Sequence, residues 1–244
     1  MKTYVNSVII EAHRGDSSNA PENTMAAFQR ALELNVPSIE LDVHPAVDGT
    51  LMVIHDANVD RTTNGTGAVC DKSVKELRTL DAGTKFAPEF AGERIPVLTD
   101  VLKLLTQSNI QLNIEVKAAS PGRNVPLTLV NLLRRFGKQR HYVVSSFNLQ
   151  SLLEVRKIAP EITLALIGNG PEILPQARFN CLPWIHCNFN TVDEQLIARA
   201  HAGNIRVNIW TMDDPVRLAY WRGINLDKIC TNCPAKMLVA AVQN

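Results

Sequence analysis

Residues 38–43 of the chain read Ser-Ile-Glu-Leu-Asp-Val and decide how the rest is interpreted. Charged and apolar side chains alternate here with the two-residue period of a β-strand. Glu40 and Asp42 therefore share one face of the strand, while Ile39 and Leu41 point to the other. Apolar residues that face covering helices and carboxylates that face inward are what a strand of a closed parallel barrel requires.

The same alternation returns at residues 111–117, where Glu115 and Lys117 share one face. Around these two segments, short apolar runs alternate with segments of helical character. The predicted strands are 8–12, 38–43 with an extension at 51–54, 111–116, 141–145, 163–167, 184–187, 205–209 and 228–230. The predicted helices are 24–34, 99–105, 127–136, 149–158, 171–178, 192–201, 215–221 and 234–242. Eight such units in 244 residues predict an α/β fold, a single TIM (β/α)8 barrel.

Residues 56–96 interrupt this alternation with four glycines and one clear helical stretch, 73–80. We therefore expect a small insertion after the second strand, at the mouth of the barrel. Residues 1–244 are predicted to form one barrel domain, with 56–96 as its insertion subdomain. A doubly wound open sheet is the alternative, but no GxGxxG sequence follows any predicted strand to support it.

Composition limits the partners of the chain. It has 25 basic and 24 acidic residues, a net charge of +1, which argues against binding nucleic acid or an anionic membrane surface. The early apolar run 8–10 is too short for a secretory leader, and no stretch is long enough for a transmembrane anchor. Five cysteines, an odd number, favour a reducing compartment, so we expect a cytoplasmic protein. The charge balance leaves room for a small anionic substrate, because a local pocket can be positive in a neutral protein. The pair Cys230 and Cys233 lacks further ligands at zinc-motif spacing and is interpreted as ordinary packing. The oligomeric state stays open.

Polar residues collect where predicted strands end, which is where barrel active sites form. Three inward carboxylates on neighbouring strands require a counter-charge, and an oxygen-only set selects a hard divalent cation, Mg²⁺ or Ca²⁺. His13 and His55 beside such an ion can accept and donate protons, while Lys117 and the ion hold phosphate oxygens. Trp210 is expected to form a pocket wall, although a core role is possible from sequence. The predicted metal ligands are Glu40, Asp42 and Glu115; their alternative role is an ion pair with Lys117 or Arg14.

Ten short motifs stand in order along nearly the whole chain. They are HRG at 13–15, PENT at 21–24, ELDV at 40–43, DG at 48–49, HD at 55–56, RTT at 61–63, EVK at 115–117, SF at 146–147, NIWT at 208–211 and TNCP at 231–234. In these motifs the chain resembles the glycerophosphodiester phosphodiesterase family. The full ordered series makes the resemblance far more specific than any single triplet.

The resemblance implies a metal-dependent enzyme that hydrolyses glycerophosphodiesters to glycerol 3-phosphate and an alcohol. In this family the glycerol hydroxyl of the substrate is thought to attack phosphorus, through a cyclic phosphate. It implies that Arg14 and Lys117 hold the phosphate, with acid/base roles for His13 and His55. Lipid phosphodiesterase activity and non-enzymatic phosphodiester binding are the alternatives. The family's usual Gly-x-Asp-Gly is replaced by Asn-Leu-Asp-Lys at residues 225–228. Head group, choice of ion and the assignment of acid and base are left open.

Overall fold

Eight parallel strands close into a barrel, which confirms the predicted fold class. The computed structural model describes residues 8–106, 108–117, 124–137 and 141–243. The sheet runs in the order β1-β9-β8-β7-β6-β5-β4-β2, and pairing of β1 with β2 closes it. The strands are β1 (Ile9–His13), β2 (Ser38–Pro45), β3 (Leu51–Val53), β4 (Gln111–Val116), β5 (Tyr142–Ser146), β6 (Thr163–Gly168), β7 (Trp184–Asn188), β8 (Arg206–Trp210) and β9 (Lys228–Thr231).

Helices cover the outside of the barrel and bury its outward apolar side chains. Several begin at a residue whose side chain accepts from the first turn, such as Thr24 from the Ala27 amide and Asp193 from the Leu196 amide. The predicted helix at 215–221 instead begins as a 3-10 turn, Pro215–Arg217, capped by Asp214. The helices are α1 (Met25–Glu33), α2 (Val74–Leu77), α3 (Leu98–Leu105), α4 (Val125–Phe136), α5 (Leu149–Ile158), α6 (Gly170–Phe179), α7 (Glu194–His201), α8 (Leu218–Gly223) and α9 (Pro234–Gln243).

The segment after β2 differs from its prediction in one respect. Residues 51–54 were expected to extend the second strand, but Leu51–Val53 turns back and pairs antiparallel with β2. Gly49, with a φ of +85°, allows this reversal. The insertion that follows carries α2 and two 3-10 turns, Val69–Asp71 and Pro88–Phe90. The insertion packs on an apolar cluster that is separate from the main core. This cluster comprises Ala46, Met52, Ile54, Val59, Val69, Leu77, Ala82, Ile95 and Val97.

Strand register places the polar residues of neighbouring strands side by side. His13 on β1 is level with Glu40 on β2, and Asp42 on β2 is level with Glu115 on β4. Because alternate side chains point into a barrel, these residues converge at the carboxyl end of the sheet. Among the described residues, no helix combines the length and apolar composition needed to cross a membrane.

The departure at residues 225–228 has a direct structural basis. Asn225 adopts a φ of +59°, a left-handed conformation that asparagine tolerates better than most residues. Lys228 is completely buried inside the barrel, where its ammonium group lies 2.9 Å from Glu11 Oε1 and 2.5 Å from Gln111 Oε1. Burial acts to raise the pKa of Glu11, but the positive charge of Lys228, with the hydrogen bonds from Lys228 and Ser38, lowers that pKa to about 2. A charged pair therefore fills the barrel below the predicted site.

Candidate active site

The predicted site residues meet at a cavity of about 160 Å³ at the carboxyl end of the barrel. Polar groups from the ends of six strands and the segments that follow them surround it. The lining includes seven of the eight predicted site residues and, deeper in the barrel, four polar residues that the motifs left out, Glu11, Asn113, Ser145 and His186. The eighth predicted site residue, Asp42, is completely buried beside this lining.

The carboxylates of Glu40, Asp42 and Glu115 each offer an oxygen within 4.8 Å of the other two. Two cations are paired with them. Lys117 Nζ lies 2.8 Å from Asp42 Oδ1 and 2.5 Å from Glu115 Oε1, and Arg14 Nε lies 3.2 Å from Asp42 Oδ2. Both ion pairs that sequence offered as alternatives to metal ligation are thus present, and they coexist with a cluster that could hold an ion.

Charge in this cluster is out of balance, since three carboxylates face two cations. Burial and the neighbouring Asp42 charge raise the pKa of Glu115 to about 7, and the same causes raise the pKa of Glu40 well above its ordinary value. Asp42 is the exception, because Lys117 and Arg14 overcome burial and hold its pKa well below the usual range. A divalent cation would supply the missing positive charge, and the oxygen-only donor set suits a hard ion.

A tight turn after β1 aims Arg14 at the carboxylates. Arg14 and Gly15 have φ values of +56° and +82°, and a Cβ on Gly15 would lie 2.6 Å from the backbone of Ala27. Only glycine therefore fits between this turn and α1. The turn also directs the Arg14 backbone amide to Glu40 Oε2, at 3.0 Å.

His13 is held by a chain of hydrogen bonds that starts at Asp213. The Asp213 carboxylate accepts from the Asn232 side-chain amide at 2.8 Å and from its backbone amide at 2.7 Å. Asn232 Oδ1, thus turned away from Asp213, lies 2.6 Å from His13 Nδ1 and 3.1 Å from the donating Ser17 hydroxyl. Because that oxygen only accepts, Nδ1 carries the ring proton and Nε2 has a free lone pair. Burial, aided by the Arg14 charge, lowers the pKa of His13 to about 4.

His55 has a different partner, a carboxylate. Its Nδ1 lies 2.6 Å from Asp56 Oδ1, and Arg61 Nε bonds the other Asp56 oxygen at 2.7 Å. Arg61 also pairs with Glu22 at 2.8 Å, and Glu22 in turn pairs with Arg14 at 2.8 Å. Burial lowers the pKa of His55, and the Asp56 carboxylate opposes that change. The series of ion pairs from Asp56 through Arg61 and Glu22 to Arg14 connects the insertion to the turn after β1.

Sequence reasoning missed several of these contacts. Asn23 donates to Asp42 Oδ2 at 2.8 Å, while the neighbouring Thr24 caps α1. Asn23 has a φ of +58°, a strained position that a residue type alone does not reveal. The ring of His44 bonds the His55 carbonyl oxygen at 3.0 Å through Nε2.

Trp210 lines the cavity, so it lies where the pocket-wall role placed it and not in the core. Its indole Nε1 donates to the His186 carbonyl oxygen at 3.0 Å, which fixes the ring. The exposed ring of Phe147 meets it edge to face, with centroids 5.8 Å apart. The mouth therefore has one aromatic side opposite the charged cluster.

Comparison with known proteins agrees with this geometry. Residues 13–236 match the model of the glycerophosphoryl diester phosphodiesterase family. A glycerophosphodiester phosphodiesterase of Caldanaerobacter subterraneus subsp. tengcongensis is 37% identical over 236 residues, 94% of this chain and 96% of that protein. One of Bacillus altitudinis is 34% identical, over 92% of this chain and 94% of that protein.

Solved structures show the same barrel. An Oleispira antarctica phosphodiesterase, in complex with the product sn-glycerol-3-phosphate, superposes with a TM-score of 0.90 at 26% identity, over 97% of each chain. A glycerophosphodiester phosphodiesterase of Agrobacterium tumefaciens gives 0.84 at 29% identity, over 95% of this chain and 99% of that one. The chain belongs to the glycerophosphoryl diester phosphodiesterase family and is an enzyme of that activity.

Proposed function

We propose that the chain hydrolyses small glycerophosphodiesters to glycerol 3-phosphate and an alcohol, with a divalent cation, Mg²⁺ or Ca²⁺, at Glu40, Asp42 and Glu115. The observation that carries this proposal is the convergence of three carboxylates that exceed their cations in charge. The sn-glycerol-3-phosphate in the Oleispira relative supports the product. A cation bound there would polarise the phosphoryl oxygens and offset their charge.

Arg14 and Lys117 hold the phosphate in this proposal, and Trp210 bounds the pocket. Arg14 and Lys117 pair with carboxylates of the cluster in this structure. A divalent cation bound to those carboxylates would free the two side chains to bind phosphate oxygens. Guanidinium groups suit phosphate because they bind two of its oxygens at once.

The ring partners of the two histidines support a proposal for which is the base and which is the acid. His13 presents the Nε2 lone pair that Asn232 leaves free, so His13 takes the proton from the attacking glycerol hydroxyl. The P–O bond to the alcohol then breaks, and His55 Nε2 gives the departing oxygen a proton. The Asp56 carboxylate stabilises the protonated ring that this step requires. Water opens the resulting cyclic phosphate by the same groups in reverse roles.

We also propose that residues 1–244 form one barrel domain with 56–96 as an insertion subdomain. The separate apolar cluster of the insertion supports that division. An ion pair from Arg61 to Glu22 joins the insertion to the segment that follows β1.

Two substrates test the histidine roles. His13→Ala and His55→Ala should each lower kcat on glycerophosphocholine by about 100-fold or more, with small changes in KM. On a nitrophenyl ester of glycerol phosphate, whose leaving group departs as a stable anion, His55→Ala should recover most of its rate and His13→Ala should not. His141→Ala, a histidine outside the cavity lining, serves as the matched control. Rescue of His13→Ala alone would reverse the assignment, and near wild-type kcat in both variants would refute it.

A further inference from the structure

A second cluster of metal-ligating groups shares Glu40 with the carboxylate site. His13, Glu40 and Cys230 each offer a ligand atom within 4.8 Å of the other two. The three residues come from β1, β2 and β9, which are adjacent in the closed barrel. Cys230 is 3% exposed and level in register with Glu11, two residues before His13 on its strand.

The metal-ligating atoms of this cluster differ in type from the oxygen atoms of the three-carboxylate cluster. An imidazole, a carboxylate and a thiol form a nitrogen, oxygen and sulfur set, which favours Zn²⁺ or another thiophilic ion over Mg²⁺ or Ca²⁺. Tetrahedral zinc, with bond lengths of about 2.0–2.3 Å, sets its ligand atoms roughly 3.5 Å apart. His13 Nε2 and Glu40 Oε2 are 3.9 Å apart, close to that spacing, and the Cys230 thiol lies within 4.8 Å of both residues' ligand atoms.

The surroundings of His13 are those of a metal ligand as well as of a base. Its Nδ1 proton is directed at Asn232 Oδ1, which leaves Nε2 free toward Glu40. Histidines that bind metals commonly donate their other ring proton to an oxygen in this way. Glu40, with two carboxylate oxygens, can bridge an ion here and an ion at Asp42 and Glu115.

We propose that His13, Glu40 and Cys230 form a second metal site that binds a thiophilic divalent cation such as Zn²⁺, and that an ion bound there inhibits the enzyme. The thiol loses its proton to solvent when it binds the ion. Inhibition follows because the ion takes the Nε2 lone pair that would accept the substrate proton. The inhibition rests on the proposed role of His13, whereas the binding of the ion does not.

Binding is tested without turnover, by adding Co²⁺ to protein kept in saturating Mg²⁺. The wild type should develop the near-ultraviolet absorption of a cobalt–thiolate bond. Cys230→Ser and Cys230→Ala should lack it, and Cys233→Ser, whose thiol lies against the Asp213 carbonyl oxygen at 3.3 Å, should keep it. No band in the wild type, or a band that survives loss of Cys230, would overturn the proposal.

Inhibition is tested by adding Zn²⁺ to the enzyme working in excess Mg²⁺. Loss of a group that only hydrogen-bonds to a metal ligand lowers metal affinity by about 10- to 100-fold. Because Cys230 is proposed as a direct ligand, the half-inhibiting Zn²⁺ concentration should rise by at least that factor in Cys230→Ser. Cys233→Ser should retain wild-type sensitivity. Equal sensitivity of Cys230→Ser would place the inhibiting ion at Asp42 and Glu115 instead. If the cobalt band forms as expected but no variant turns over glycerophosphodiesters, the proposed function fails while the metal site stands.

Discussion

Substitution of Glu115 by glutamine should stabilise the metal-free protein at alkaline pH. The pKa of Glu115 is raised to about 7 from an ordinary value of 4.5, by burial and by the Asp42 charge. A carboxyl with a raised pKa costs stability once the pH exceeds its unfolded value, and the full cost is present above its folded value. The difference between the folded and unfolded pKa values lowers the free energy of unfolding at pH 8 by on the order of 3 kcal/mol, at about 1.36 kcal/mol per pH unit. The cost disappears as the pH falls from 7 through 4.5.

Thermal melts of Glu115→Gln and wild type in EDTA measure this effect. At pH 8 the variant should melt roughly 6–12 °C higher, since about 1 kcal/mol shifts the midpoint by 2–4 °C in a chain of this size. At pH 5 the difference should fall to roughly 2–4 °C, because about 1 kcal/mol of the cost remains about half a pH unit above the unfolded pKa. Glu89→Gln, at an exposed position in the insertion, is the control and should change nothing. Added Mg²⁺ should stabilise the wild type more than the variant. A variant that melts lower in EDTA at pH 8 would mean that Glu115 serves as an ion-pair partner of Lys117, and the charge imbalance would be refuted.

Two further outcomes follow from buried contacts. Lys228→Met should lower the free energy of unfolding by about 3–5 kcal/mol in urea titrations, because it leaves Glu11 charged and buried. Adding Glu11→Leu to this variant should recover much of the loss. If the destabilisation of the double variant equals the sum of the two single losses, the two residues do not act as a pair. Asn232→Ala should lower kcat by roughly 10-fold or more with little change in KM, because the His13 tautomer is then no longer fixed. An unchanged kcat in steady-state assays would show that Asn232 does not position the His13 ring.

Local periodicity was sufficient to predict the barrel and the carboxylate cluster. Glu40 and Asp42 share a face by alternation, and Glu115 does so on its own strand, so a closed parallel sheet brings them together. The ordered motifs added His13 and His55. These inferences needed only spacing along single strands and the rule that strand ends converge.

Contacts between residues distant in sequence could not be predicted in the same way. Asn232 meets His13 across 219 positions, and only the closure of β1 on β9 brings them together. Cys230 was paired in sequence with Cys233, yet its metal-ligating neighbours come from other strands. Lys228 was recorded as a departure from the family, but its burial against Glu11 depends on packing inside the barrel. The antiparallel return at Leu51–Val53 depends on turn geometry after Asp48.

Release of glycerol 3-phosphate by metal-stripped protein tests the central claim most directly. The protein is treated with EDTA, its metal content is checked by elemental analysis, and turnover of glycerophosphocholine is followed before and after Mg²⁺ or Ca²⁺ is added. We expect no turnover without metal, recovery with one of these ions, and no recovery in Glu40→Gln, because Glu40 belongs to the three-carboxylate cluster. Full activity in excess EDTA, with no metal found in the protein, would contradict a metal role for Glu40, Asp42 and Glu115.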